Sequence, residues 1–383
     1  MKFHFSFFLT FILSVLCLGS YYLGTRLIAR VPIAKAHSTI IWLALFLFVV
    51  VQILGPVLYR TYPNRESASF IFHWAVYSSL GLFACLFFYT LVADITLTAW
   101  KWMFHPQNGF DVERRSFMGV SMFAFASTMI GAFQAYRGPK VYSVEIPIAD
   151  LPLELAGFKI VQITDLHAGP TIGKSYIKNV VEIANSLNPD LVALTGDMVD
   201  GRVEALSPDL EPLKALKSTH GSFFITGNHE YYWGALQWIQ WFKDAGSQVL
   251  LNEHRVLTHK GQPLVIAGVT DHSAGRFFDQ HRSDPLLAAQ GAPAGVPKIL
   301  LAHQPASFEK ADQAGFQLQL SGHTHGGQFF PWSIFVSLFH RYYRGLNLHN
   351  KMWVYVSRGT AYWGPPMRFG VPSEITELTL RRA

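Results

Sequence analysis

Four long apolar stretches open the chain, at residues 5–24, 40–59, 69–93 and 116–136, and none has Lys, Arg, Asp or Glu in its interior. Each is close to the ~20 residues that a helix needs to cross the hydrocarbon core of a bilayer. The first could pass for a signal peptide, with Lys2 as its basic start. It is long for that role and no Ala-x-Ala site follows, so it reads as an uncleaved helix. After residue 136 the pattern changes to short apolar runs alternating with amphipathic segments. Runs 158–163, 190–195, 222–226, 263–267, 298–302, 317–320 and 352–356 read as strands, and 374–380 alternates like a strand with one exposed face. Residues 174–187 carry Ile177, Val180, Val181, Ala184 and Leu187 on one helical face and stop at Asn188-Pro189. Strands alternating with helices predict an α/β domain. The expected organisation is a membrane region over 1–136, a linker and first strand over 137–157, and a catalytic domain over 158–383.

Charge follows the same division. Residues 1–136 contain four acidic side chains, Glu66, Asp94, Asp111 and Glu113, and carry a net charge of +5, whereas residues 137–383 are nearly neutral. The basic surplus therefore sits in loops between apolar runs, which argues against nucleic acid as the main partner and for a lipid bilayer. The cations divide five against six between the two sides of the membrane, so they set no orientation for the catalytic domain. Both cysteines, Cys17 and Cys85, lie in the apolar runs, which excludes a disulfide framework or cysteine metal site in the α/β part.

The chemistry lies at the strand ends. Asp165 and His167 follow the run 158–163, Asp197 follows 190–195, Asn228 and His229 follow 222–226, His303 follows 298–302, and His323 and His325 follow 317–320. Taken singly, a Gly-Asp or Gly-Asn pair is most often only a turn. Five strands that each end in such residues are another matter, because ligands of α/β sheets bind at the carboxyl ends of strands. Histidine and carboxylate without cysteine suit Zn, Fe or Mn. The candidates are too many for one tetrahedral ion, but two ions sharing a carboxylate would use them all. Such a pair activates water and clamps the attacking and leaving oxygens of a displacement at phosphorus.

The series Asp165-Leu166-His167, Gly196-Asp197-Met198-Val199-Asp200, Gly227-Asn228-His229-Glu230, Ala302-His303 and Gly322-His323-Thr324-His325 resembles the calcineurin-like metallophosphoesterase superfamily. The stretch 321–328, with its Gly-His-Thr-His-Gly-Gly-Gln core, and the tail 364–375 are similar to a membrane-associated branch of bacterial phosphoesterases and mammalian transmembrane proteins with a metallophosphoesterase domain. The resemblance implies two packed mixed β-sheets flanked by helices, and two divalent ions (Mn, Fe or Zn). Asp165, His167 and His325 would hold the first ion, Asn228, His303 and His323 the second, and Asp197 would bridge them. A hydroxide between the ions would attack phosphorus. His229 would face the substrate and protonate the leaving oxygen, with Asp200 orienting it. In the phosphoprotein phosphatases of the superfamily an Arg directly follows the residue matching Asp200. Here Gly201 intervenes and Arg202 comes next, which weakens a protein-phosphatase reading and leaves a substrate-binding role for Asn228, His229 and Arg202 toward a phosphodiester or pyrophosphate.

Aromatic segments flank these blocks. Tyr231, Tyr232 and Trp233 precede Trp238, Trp241 and Phe242, and residues 329–344 run from apolar to basic and aromatic. Such segments either pack a core or meet lipid at headgroup depth. The branch includes pyrophosphatases acting on UDP-diacylglucosamine, so the expected substrate is a lipid-linked phosphoester at a bacterial inner membrane. The competing expectation is a transporter or scaffold with a regulatory or silent phosphoesterase domain. Spans without interior charge argue against transport.

Overall fold

The computed structural model describes residues 2–61, 67–104 and 109–383, so Arg65 and Glu66 lie outside the described residues. The chain divides into two compact units, residues 1–133 with 364–369 and residues 134–363 with 370–383.

The first unit is helical: α1 (Lys2–Arg30), α2 (Pro32–Ala36), α3 (Ser38–Thr61), α4 (Ser67–Phe104) and most of α5 (Gly109–Tyr136). Among the described residues, four helices are long and apolar enough to cross a membrane, over Ile12–Arg30, Ser38–Gly55, Ile71–Phe104 and Val112–Tyr136. Leu16, Leu23, Val49 and Phe83 form a small core between α1, α3 and α4. The helices outrun the apolar stretches and carry charge near one end. Asp94, inside α4, accepts from Tyr22 (2.7 Å) and Arg30 (2.5 Å) and pairs with Arg26 at 2.7 Å. The expectation of charge-free spans holds only for the apolar stretches, not for the helices. Asp94 and Glu113 together balance Arg26 and Arg30, with Glu113 3.6 Å from Arg30 Nε, and this pairing lets the helices carry charge inside an apolar region.

The second unit has twelve strands in two six-stranded sheets, numbered in chain order: β1 (Lys140–Ile148), β2 (Lys159–Ile163), β3 (Leu191–Leu194), β4 (Ser222–Phe224), β5 (Gln248–Val249), β6 (Glu253–His259), β7 (Gln262–Gly268), β8 (Lys298–Leu301), β9 (Leu318–Ser321), β10 (Gly345–His349), β11 (Met352–Val356) and β12 (Glu374–Arg382). One sheet has the order β1-β12-β2-β3-β4-β5 and the other β10-β11-β9-β8-β7-β6. Strands β2, β3 and β4 are parallel to one another, as are β7, β8 and β9, so their carboxyl ends share an edge within each sheet.

The period-2 alternation of side chains explains the layering. Ile160, Leu191, Ala193 and Phe223 of the first sheet pack with Leu264, Ile266, Ile299, Leu301, Leu318 and Leu320 of the second in one core. Val161, Ile163, Val192, Leu194 and Phe224 face the other way, against α6 (Lys174–Ser186), α7 (Val203–Leu210) and α9 (Ala235–Asp244). On the far side of the second sheet, Ala267, Leu300 and Val354 meet Ala288 of α10 (Pro285–Ala289) and Ala311 of α11 (Phe308–Gln313). The result is the mixed α/β fold with two packed sheets flanked by helices. Gln162 is buried between the sheets, and its amide donates to Thr195 Oγ1 (2.8 Å) and to the Ser321 carbonyl (3.0 Å). That pair of bonds ties β2 and β3 to β9 directly beneath the strand ends that carry the chemistry.

Candidate metal centre

Five strands deliver the site. Asp165 and His167 follow β2, Asp197 follows β3, Asn228 and His229 open the short helix α8 (Asn228–Tyr232) after β4, His303 follows β8, and His323 and His325 follow β9. The chain turns sharply at most of these points. Asp165, His167, Asp197, His323 and His325 all have φ between 46° and 70°, and they are five of the eleven non-glycine residues with positive φ among the described residues. Left-handed backbone costs a non-glycine residue of order 1–3 kcal/mol and collects at functional sites.

Neighbouring glycines permit the close approach. A Cβ at Gly322 would collide with Asp165 Oδ2 and Thr164 Oγ1, and one at Gly227 would collide with Asp197 Oδ1.

The side chains converge in three overlapping groups whose ligand atoms lie within 4.8 Å of one another: Asp165, His167 and His325; His167, Asp197 and His229; Asp197, His303 and His323. Asp197 Oδ2 stands 3.1 Å from His303 Nε2, 3.9 Å from His167 Nε2 and 4.0 Å from His229 Nε2. His167 Nε2 and His325 Nε2 face each other at 3.0 Å, and His325 Nε2 is 3.4 Å from Asp165 Oδ1. The carboxamide oxygen of buried Asn228 accepts no hydrogen bond from the described residues. A buried acceptor without a donor, and two imidazole nitrogens facing each other at 3.0 Å in the same set of strand-end residues, fit cations better than they fit an ordinary polar core. The donor set, imidazole and carboxylate with one amide, suits Mn, Fe or Zn.

Hydrogen bonds behind the cluster orient it. His303 Nδ1 bonds the Thr195 carbonyl at 2.9 Å, which leaves Nε2 facing Asp197. Both oxygens of Asp165 accept from the His323 amide, at 2.9 and 3.1 Å, and Oδ2 also accepts from Thr164 Oγ1. Asp197 Oδ1 accepts from the His229 amide at 2.8 Å, so its Oδ2 is the oxygen turned to the imidazoles. His229 Nδ1 is 2.9 Å from Asp200 Oδ1, which also accepts from Trp233 Nε1 at 2.9 Å. Arg202 stands exposed as the residue that caps the start of α7.

Electrostatics separates the imidazoles. Burial, reinforced by neighbouring imidazoles, lowers His167 and His323 to about 3. Burial also works against the charged forms of His229 and His303. Carboxylates outweigh it only together, Asp197 with Asp200 and Glu230 at His229, and Asp197 by charge and hydrogen bond with Asp165 and Asp271 at His303, so His229 rises to about 9 and His303 stands well above the ordinary histidine range. Burial alone would raise Asp197, yet His303 and His229 hold it well below the usual carboxylate range. Asp165 goes the other way, pushed to about 6 by burial despite His303.

Two contributors escaped sequence reasoning. Glu230, fully buried, accepts from the amides of Gly227 (2.6 Å) and Asp197 (3.0 Å) on Oε2 and from Met198 (2.8 Å) on Oε1. It therefore straps the loop after β3 to the loop after β4. Its place three residues after Gly227, at the third position of α8, is the capping-box spacing that could have drawn attention to it. Trp363 lies with its ring centroid 5.4 Å from His229 and 6.5 Å from His167, and it is half exposed. Nothing in the local sequence marks it.

Comparison with known proteins agrees with this geometry. The calcineurin-like phosphoesterase family matches residues 158–327. Over 394 aligned residues the chain is 33% identical to a transmembrane protein with metallophosphoesterase domain from Danio rerio, covering 98% of this chain and 89% of that one. The Bos taurus protein of the same name is 31% identical, with 97% and 88% covered. An uncharacterized metallophosphoesterase of Helicobacter pylori strain J99 is 38% identical over 252 residues, 65% of this chain and 66% of that one. The chain belongs to the calcineurin-like metallophosphoesterases, a family dependent on dinuclear metal centres, and to those of its members that join the phosphoesterase domain to apolar helices of transmembrane character.

Proposed function

We propose that the protein is a membrane-anchored phosphoesterase that hydrolyses a phosphodiester or pyrophosphate, on a lipid-linked substrate, with a catalytic domain over 158–383, a linker and first strand over 137–157 and an anchor over 1–136. The observation that carries this reading is the position of Asp197, which contributes an oxygen to two of the three candidate ligand groups, with both of its oxygens engaged. In our assignment Asp165, His167 and His325 would hold one divalent ion (Mn, Fe or Zn), Asn228, His303 and His323 would hold the other, and Asp197 would serve both. A bound pair would supply an activated hydroxide and neutralise the charge that develops on the phosphoryl oxygens.

The protein's own residues divide the remaining work. His229, held at Nδ1 by Asp200, turns Nε2 into the site and donates its proton to the leaving oxygen. The geometry alone would also admit His229 as a ligand. Its Nδ1 partner Asp200, a carboxylate outside the assigned ligand set, would stay beside it with the ions bound and favours the acid role. Trp363 offers an apolar wall beside His229 for the leaving group. Arg202, exposed at the head of α7, is assigned to the outer part of the substrate.

Purified protein in detergent with Mn²⁺ tests the reading on bis(p-nitrophenyl) phosphate and on UDP-diacylglucosamine. Turnover of either, abolished in Asp197→Asn, supports it. Rates equal to that variant on both substrates sink it and favour a scaffold with a silent domain. A bacterial inner membrane as the location belongs to the same proposal, and a reporter fused to residue 383 would assign the side.

A further inference from the structure

The helix α12 (Trp332–Phe339) has the sequence Trp-Ser-Ile-Phe-Val-Ser-Leu-Phe, and none of its eight residues is buried. Leu338 is 73% and Phe339 82% exposed, with Trp332 and Ile334 also exposed. A water-soluble surface does not present an almost wholly apolar helix without reason. The chain around it supplies a charge of one sign. Residues 313–373 contain no Asp or Glu, and the exposed Arg341 and Arg344 follow α12 directly, interleaved with Tyr342 and Tyr343. An apolar helix followed by interleaved rings and cations supplies the side chains that a lipid interface takes up at its acyl, headgroup and phosphate levels.

α12 is also braced against the candidate metal loop. A Cβ at Gly327 would collide with the Ser333 backbone, the Ser333 amide donates to the Phe329 carbonyl at 3.1 Å, and Thr324 Oγ1 donates to the Tyr343 carbonyl at 2.7 Å. The ring of His340, at the C-cap of α12, lies 6.1 Å from that of His323. Whatever α12 rests on is thereby held close to the site.

We infer that α12 is an interfacial helix that lies in an anionic lipid bilayer surface and holds the phosphoesterase site at headgroup depth, so that phosphoester headgroups enter from the bilayer plane. This deepens the proposed function and rests on it for the substrate, although lipid engagement by α12 can be read without any turnover. The test uses the 383-residue chain in nanodiscs of phosphatidylcholine and phosphatidylglycerol. Cys17 and Cys85 are replaced by Ala, and a bimane label is placed on Leu338→Cys. Quenching by brominated acyl chains together with protection from aqueous iodide is the expected result. Iodide quenching with no effect of brominated lipid overturns the inference. So does protection from both quenchers accompanied by bismaleimide cross-linking of two chains through position 338, which would make α12 a contact between copies.

A kinetic arm separates this inference from the proposed function. The double variant Leu338→Asp/Phe339→Asp keeps its fold because neither side chain is buried. It is expected to leave kcat/KM on soluble bis(p-nitrophenyl) phosphate unchanged. It is also expected to raise KM for UDP-diacylglucosamine in nanodiscs by about tenfold or more, the scale of one large apolar side chain lost from an apolar phase. An unchanged KM for the embedded lipid overturns the inference. If neither substrate is turned over by the unaltered chain, the proposed function fails and the quenching result alone decides the role of α12.

Discussion

Replacing Glu230 by Gln changes one charge and almost no volume, yet it strikes the strap that positions Asp197. The native carboxylate accepts three backbone N–H groups, two on Oε2 from Gly227 and Asp197 and one on Oε1 from Met198. A glutamine offers one acceptor oxygen and one donor group. Turned so that its oxygen keeps the Gly227 and Asp197 amides, it points an N–H at the Met198 N–H. A buried donor left facing a donor costs about 1–3 kcal/mol, and two bonds demoted from charged to neutral lose about 1 kcal/mol each, so the total is about 3–5 kcal/mol. Only the share that reaches Asp197 appears in metal binding, and outer supports of this kind are worth about 10–100-fold in metal affinity. Burial, with repulsion from Asp197, raises Glu230 to about 7. At pH 8 the native side chain is ionised and the strap is at full strength. Near pH 6 it is largely protonated and behaves much as glutamine would. The expected result of metal-binding titrations on the metal-stripped protein is a 10–100-fold weaker affinity for Glu230→Gln at pH 8, shrinking at pH 6. Equal affinities at pH 8 would refute the strap as the device that places Asp197.

Three further outcomes follow from the same geometry. Asp200→Asn removes the carboxylate partner of His229, so kcat should fall about 10²-fold while metal content stays at the native level, and the basic limb of the pH–rate profile should move to lower pH because His229 loses its proton more easily. Gly322→Ala places a methyl group against Asp165 Oδ2 and Thr164 Oγ1, and elemental analysis should find the ion we assign to Asp165, His167 and His325 lost or severely depleted. Metal uptake at pH 7 should release at least one proton per chain, from His303, which Asp197 favours in its protonated form without metal and which must be neutral in the ligand role we assign it, and a further one from water if the ions bind hydroxide; calorimetry in buffers of different ionisation enthalpy measures this.

Much of the catalytic unit was legible because its strands are short, apolar and each followed at once by its chemistry. The run 190–195 contains β3 and ends two residues before Asp197, and 174–187 contains α6 almost residue for residue. What stayed hidden depended on contacts distant in sequence. β1 pairs in parallel with β12, Lys140 opposite Glu374, and no local pattern announces a partner more than 200 residues away. β6 reads Glu-His-Arg-Val-Leu-Thr-His and is too polar to stand out, although it pairs with β7 along its whole length. Glu230 sat within a recognised block, but its amide partners Asp197 and Met198 lie on another loop. The helical ends beyond residues 24 and 93 were missed because single charges stop an apolar pattern, whereas Arg26 and Arg30 are balanced by Asp94 and Glu113.

The central claim is a dinuclear centre divided around Asp197, and counting ions tests it most directly. Inductively coupled plasma analysis of the detergent-purified 383-residue chain, after equilibration with Mn²⁺ and desalting, should give two ions per chain. Asp197→Asn should bind fewer and should lose turnover of bis(p-nitrophenyl) phosphate. No bound ion in the unaltered chain, or two ions retained at native affinity by Asp197→Asn, would contradict the account.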